Sequence, residues 1–217
     1  SIGMSSIQLI CNLFKSCDEL LVSFDLYGGT FRLFDFYEQQ YGIHFKYVDF
    51  LNYEEVEQSI TEHTKALFIE PISNPQMIEV DVDPFYILSK KFNLLTIIDN
   101  TFLTPYLSTP LEDGADIVLH SATKYIGGHN DVLAGVVTVK DNQLAEQLGQ
   151  LHNMIGATLS PFDSYLLQRG LKTLHLRMDR SEYNAKLLSE RCSDLEAIDK
   201  VLYSGRTGML SLRLNKD

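Results

Sequence analysis

Residues 117–135 read IVLHSATKYIGGHNDVLAG, and the change of character within that stretch decides the fold. Ile117, Val118 and Leu119 make a short, unbroken apolar run, the pattern of a strand buried on both faces. Ser121, Thr123 and Lys124 follow at once, and then the pair Gly127-Gly128. A strand that ends in Ser-x-Thr-Lys sets two hydroxyls and an amine at one sheet edge. That set suits a small molecule carrying both a phosphate and a carbonyl. The amine of Lys124 can form a Schiff base if burial or a neighbouring positive charge deprotonates it. A solvated lysine after a strand is the plain alternative, and the residues upstream weigh against it.

Working outward, apolar runs at 20–24, 45–48, 66–69, 94–98 and 136–139 predict further strands. Helical spacing predicts helices over 5–14, 30–41 (ended by Gly42), 53–61 and 83–92, the last with Asp83 as N-cap and Pro84 in its first turn. Strands alternating with helices predict an α/β domain with a largely parallel sheet. Beyond Asp141 the pattern is helical, over 142–153, 161–171 and 179–191. Residues 201–203 and a strand over 209–214, with no visible pairing partner, read as the start of a second unit.

In a parallel α/β sheet, ligands sit off the carboxyl ends of the strands. Glu70 and Asn74 follow one strand, Asp99 and Thr101 another, and Ser121, Thr123 and Lys124 a third. Asp99 comes straight after Leu95-Thr96-Ile97-Ile98, so its carboxylate is partly desolvated and needs a positive partner. An N-cap or a salt bridge would serve. So would the protonated pyridine nitrogen of pyridoxal phosphate, which needs such a carboxylate to act as an electron sink. Gly3 precedes the first helix, whose free N–H groups and dipole favour an anion. Tyr27 precedes Gly28-Gly29 and is either a packing residue or a platform for a flat ligand.

Composition narrows the function classes. At 217 residues, 45% hydrophobic and 22% charged, the chain is globular, with material for one large domain or one and a half ordinary ones. A net charge of -11 argues against a nucleic-acid surface. No apolar run reaches membrane-spanning length, and no secretion signal opens the chain as given. Cys11, Cys17 and Cys192 are odd in number and lack metal spacing, and the six histidines are scattered, so reduced thiols in the cytoplasm and no metal are expected.

Taken together, SIGMSSI at 1–7, LYGGTFRLF at 26–34, EPISNP at 70–75, DNTFLTPYL at 99–107, SATKYIGGHNDVLAG at 121–135 and PFDSYLLQRGLKTLHLRM at 161–178 resemble the Cys/Met-metabolism pyridoxal-phosphate enzymes of trans-sulfuration. The resemblance implies an aspartate-aminotransferase-like fold (PLP fold type I). It divides the chain into a cofactor-binding large domain over 1–190, lacking its N-terminal part, and the truncated start of a small α/β domain over 191–217. By position it implies that Lys124 bonds the cofactor's aldehyde and shuttles protons, that Asp99 faces the pyridine nitrogen, and that Tyr27 stacks on the ring. Gly3 and Met4 amides with the Ser121 and Thr123 hydroxyls would hold the phosphate, and Thr101 would join the cofactor set. Asn74 would lie near the cofactor's phenolic oxygen and the substrate carboxylate, and Arg32 would bind substrate. A Tyr-x-Arg from a neighbouring subunit would fall before Ser1 and a carboxylate-clamping arginine after Asp217, so a homodimer or homotetramer is implied. Gly29, where related γ-lyases of methionine carry cysteine, and the short step from Tyr203 to Met209 imply γ-replacement: cysteine's sulfur displaces the acyl group of an O-acylhomoserine. A cystathionine γ- or β-lyase, or a non-catalytic α/β binding protein, are the alternatives.

Overall fold

A computed structural model describes residues 3–215, leaving Ser1 and Ile2 of the opening motif outside the described residues. The first half runs α1 (Gly3–Cys11), β1 (Glu19–Ser23), α2 (Gly28–Tyr41), β2 (His44–Val48), α3 (Tyr53–Ser59), β3 (Thr64–Ile69) and α4 (Asp83–Phe92). Then come β4 (Leu95–Asp99), two short helices α5 (Thr104–Leu107) and α6 (Pro110–Asp113), β5 (Ile117–His120) and β6 (Val136–Val139). Helices α7 (Asn142–Ile155), α8 (Pro161–Leu171) and α9 (Leu174–Ser193) lead to β7 (Ile198–Leu202) and β8 (Ser211–Leu214).

The main sheet has the order β2-β1-β3-β4-β5-β6. Its first five strands are parallel and β6 runs antiparallel on β5. Strand residues alternate between two cores, as the period of two requires. Leu20, Val22, Phe68, Ile97, Ile117 and Leu119 pack with α1 and α2 on one face, around Ile10, Phe34 and Tyr37. Leu21, Leu67, Ile69, Ile98 and Val118 pack on the other face with α4, around Phe85 and Leu88. Both faces are covered, which is why these strands are continuous apolar runs.

Two consequences follow for the strand ends. Continuing the alternation puts Glu70, Asp99 and Ser121 on the α1–α2 face of the sheet. The strand order also reverses between β1 and β3, the point at which α/β sheets open a crevice for ligand. The loop after β1 carries Tyr27 and the loop after β3 carries Glu70.

Four expectations need correction. Helix α1 starts at Gly3 itself and closes at Cys11, with 12–14 turning out of it through Leu13 N–H to Ile10 O and Phe14 N–H to Cys11 O. Asp83 is the first residue of α4 rather than its cap; Val82 takes the cap position, and the Asp83 N–H donates to Asp81 Oδ1 at 3.2 Å. Helix α9 begins at Leu174 instead of 179: Leu174 and Met178, one turn apart, are buried in its opening turns and Ala185 further on, while most of its surface is polar. Strand β8 does have a partner: it pairs antiparallel with β7, from Leu202↔Ser211 to Ile198↔Leu214. The sequence hid this pairing because β7 reads IDKVL, in which Asp199 and Lys200 together interrupt any apolar run.

Candidate active site at the strand ends

Asp99 closes β4 and is braced by its own loop. Its Oδ1 accepts from Thr101 Oγ1 at 2.5 Å and from the Thr101 N–H at 3.1 Å. The Thr101 oxygen in turn accepts the Ser121 N–H at 2.8 Å, so one hydroxyl ties the ends of β4 and β5 together. Asp99 Oδ2 accepts from no described residue. Burial pushes the carboxyl up to about 6 against the two Thr101 bonds, which pull it down. The oxygen left free, on a carboxyl only partly open to solvent, is a place for a cation.

Ser121 has the first turn of α1 laid against it. A methyl at residue 3 would come 2.6 Å from Ser121 Oγ, so only glycine lets the helix start approach this closely. The α1 amides and the Ser121 hydroxyl therefore converge on one spot, and that hydroxyl has no partner among the described residues. This is the donor set of a phosphate cradle. Thr123 is placed differently. Its hydroxyl donates to Ala134 O at 3.2 Å and accepts the Ala134 N–H at 3.0 Å. In this arrangement it pins the turn and has no donor left for a phosphate.

Tyr27 stands at the start of α2, half exposed, with its ring folded over Gly29 beside Met4. A methyl at residue 29 would sit 2.5 Å from Tyr27 Cε1 and 3.1 Å from Met4 Sδ. We expect Gly29→Ala to turn the ring away without unfolding the chain. Loss of one flat stacking contact should weaken cofactor binding about tenfold, read by titrating the cofactor-free protein.

Glu70, which follows β3, also belongs to the site. It is buried, and its Oε1 accepts the Tyr27 N–H at 3.2 Å across the β1–β3 crevice. Burial first, and then the charge of Asp99, hold its carboxyl well above the usual range. The signal was there: like Asp99, Glu70 is an acid directly after an apolar strand. Lys124 and Arg32 are exposed and Asn74 is partly exposed, and none of the three side chains bonds a described residue. Lys124 is fixed through its backbone, with its N–H on Ser121 O at 3.0 Å and its carbonyl taking the Gly128 N–H at 2.8 Å. Among the described residues no three His, Cys, Asp or Glu side chains could hold a metal, and no helix is long and apolar enough to cross a membrane.

Comparison with known proteins fits this geometry. The family described as Cys/Met metabolism PLP-dependent enzyme matches residues 1–215. A cystathionine gamma-synthase/O-acetylhomoserine (thiol)-lyase of Bacillus subtilis is 54% identical over 217 residues, all of this chain and 58% of that protein. A cystathionine beta-lyase of Lactococcus lactis is 45% identical over 205 residues, 94% of this chain and 54% of its own length. The crystal structure of a cystathionine gamma-lyase from Lactobacillus plantarum, complexed with L-serine, superposes with a TM-score of 0.96 at 39% identity, over 99% of this chain and 60% of that one. The chain thus spans between half and two thirds of the length of these relatives.

Proposed function

Because the chain belongs to the Cys/Met metabolism PLP-dependent enzymes, whose cofactor is pyridoxal phosphate, we propose that the whole protein catalyses γ-replacement on an O-acylhomoserine, with cysteine as the incoming thiol and cystathionine as product. The observation that carries the reading is Asp99: a desolvated carboxylate, braced on one oxygen and free on the other, on the same sheet face as the Gly3–Ser121 cradle. The bound cofactor would supply an electron sink for carbanions at the substrate's α and β carbons.

The chain's own residues divide the remaining work. Asp99 holds the ring's positive nitrogen. Gly3 and Met4 amides, the positive end of α1 and the Ser121 hydroxyl hold the phosphate, while Thr123 and Thr101 keep Lys124 and Asp99 in place. Tyr27 offers its ring face, with Glu70 fixing its backbone. Lys124 takes the proton from the substrate's Cα and moves one at Cβ. The γ carbon–oxygen bond then breaks, the acyl carboxylate leaves, and a carbon–sulfur bond forms as the thiol gives up its proton. Arg32 and Asn74 face the substrate carboxylate. We assign residues 1–190 to the cofactor-binding large domain and 191–217 to the small one, and place the enzyme in the cytoplasm as a homodimer or homotetramer.

The 54% identity to a γ-synthase with thiol-lyase activity favours replacement, as does the tight Tyr203–Met209 turn, where Tyr203 Oη donates to Thr207 O at 3.3 Å. The 45% identity to a β-lyase supports elimination from cystathionine as the second reading. A product assay on the full-length protein separates them. O-acetylhomoserine plus cysteine should give cystathionine, and cystathionine alone should release little oxoacid or ammonia. Rapid oxoacid release from cystathionine alone would reverse the assignment.

A further inference from the structure

Lys124 makes no side-chain bond, so whatever fixes its amine must act through the backbone around it. One side chain dominates that backbone. Arg177, on α9, sends Nη1 to Tyr125 O at 2.5 Å and Nη2 to Gly170 O at 2.7 Å and Ile126 O at 3.5 Å, while its Nε donates to Thr173 Oγ1 at 3.1 Å. Tyr125 and Ile126 are the two residues directly after Lys124.

The surroundings are cut to admit this guanidinium. Gly128 adopts φ +72°, and a methyl there would fall 2.1 Å from Arg177 Nη1. Gly170 brings α8 flush against the same turn, since a methyl on it would lie 2.4 Å from Ile126 O and 2.5 Å from Gly127 O. The far side of Tyr125 is held as well, its hydroxyl accepting the Gly208 N–H. Two glycines and one planar fork thus converge on the turn that follows the lysine, and only arginine offers several coplanar donors at once.

We infer that Arg177 is a positioning residue for Lys124, orienting the amine by holding the carbonyls of the turn that follows it. The inference rests on Lys124 being the proton carrier proposed above. The plain alternative is that Arg177 only caps the end of α8 through Gly170 O and stabilises the fold.

The test uses full-length protein, with R177Q and R177K each made in the native background and in a Lys124→Ala background supplied with free methylamine as the proton carrier. In the native background R177Q should lower kcat roughly 30-fold with KM within about twofold, the effect of an amine held about an ångström off line. R177K should recover only a small part, because an ammonium cannot span three carbonyls. In the amine-rescued background the same substitutions should cost less than about twofold, because the backbone that Arg177 holds no longer carries the reacting amine. Hydrogen exchange on cofactor-free protein gives a readout independent of turnover. Amides 125–128 should exchange at least about tenfold faster in R177Q while amides 95–99 hold their rate. Equal losses in both backgrounds, or unchanged exchange at 125–128, would overturn the inference. If R177Q does not fold, R177K carries the same comparison. If methylamine restores no activity, the exchange result decides. A native protein that gives no γ-replacement while the exchange result holds would remove the proposed reaction and leave the positioning intact.

Discussion

Replacing Lys124 by alanine in the full-length protein should lower kcat by about a thousandfold or more, the weight of a residue that moves protons at the reacting carbons. Folding should survive. The side chain is exposed and bonds to nothing described, while the turn is held by the Lys124 backbone, by Thr123 on Ala134 and by Arg177 on Tyr125. Borohydride treatment of the native protein with its cofactor, followed by peptide mapping, should leave the label on Lys124, and the variant should take up none. A variant that keeps a tenth of its activity, or a label on another lysine, would end the assignment.

Asp99→Asn should move two quantities in opposite directions. Activity should fall on the order of a hundredfold, since a neutral amide cannot hold a cationic ring nitrogen as a carboxylate does. The cofactor-free protein, however, should become more stable. The carboxyl titrates at about 6 in the folded chain against 3.8 for a free one. Folding therefore disfavours its charged form: the contribution of Asp99 is fully present below pH 3.8 and is lost as pH rises through 6. Asparagine does not titrate, so its advantage should be near zero at pH 3 and reach at most about 3 kcal/mol above pH 7. His120 works in the other direction. Burial lowers its ring to about 4, so its stability is present above pH 6.5 and is lost as pH falls through 4. That loss is common to both proteins and cancels when their melting curves are subtracted at each pH. A variant that melts below the native protein at pH 8 would contradict the argument.

The parts of this chain that could be read in advance are those where one residue type permits one explanation. A buried parallel sheet needs near-continuous apolar runs, and 66–69, 94–98 (broken only by Thr96) and 117–119 supply them. A phosphate-binding helix start pressed on a strand end needs glycine, and Gly3 stands there. What escaped notice depends on who a residue's neighbour is. Arg177 lies 53 positions after Lys124 in the chain, in a largely polar helix, and nothing local says that it reaches back to two carbonyls of the turn after Lys124. Thr123 had the right type and the right place, yet Ala134 across the turn had already engaged its hydroxyl. Strand β7 escaped because a two-stranded ribbon with one open face needs no apolar run.

The contact between Gly3 and Ser121 also sets a schedule. One wall of that cradle leaves the ribosome among the first residues described here, while the other is the last strand but one of the sheet to be made. Strands β1, β3 and β4 must be laid down before β5 has an edge to join. The two walls stand about 120 residues apart in the chain, so during synthesis the vitamin's phosphate has no complete seat until β5 has joined the edge of β4, and its capture follows that pairing and cannot nucleate it.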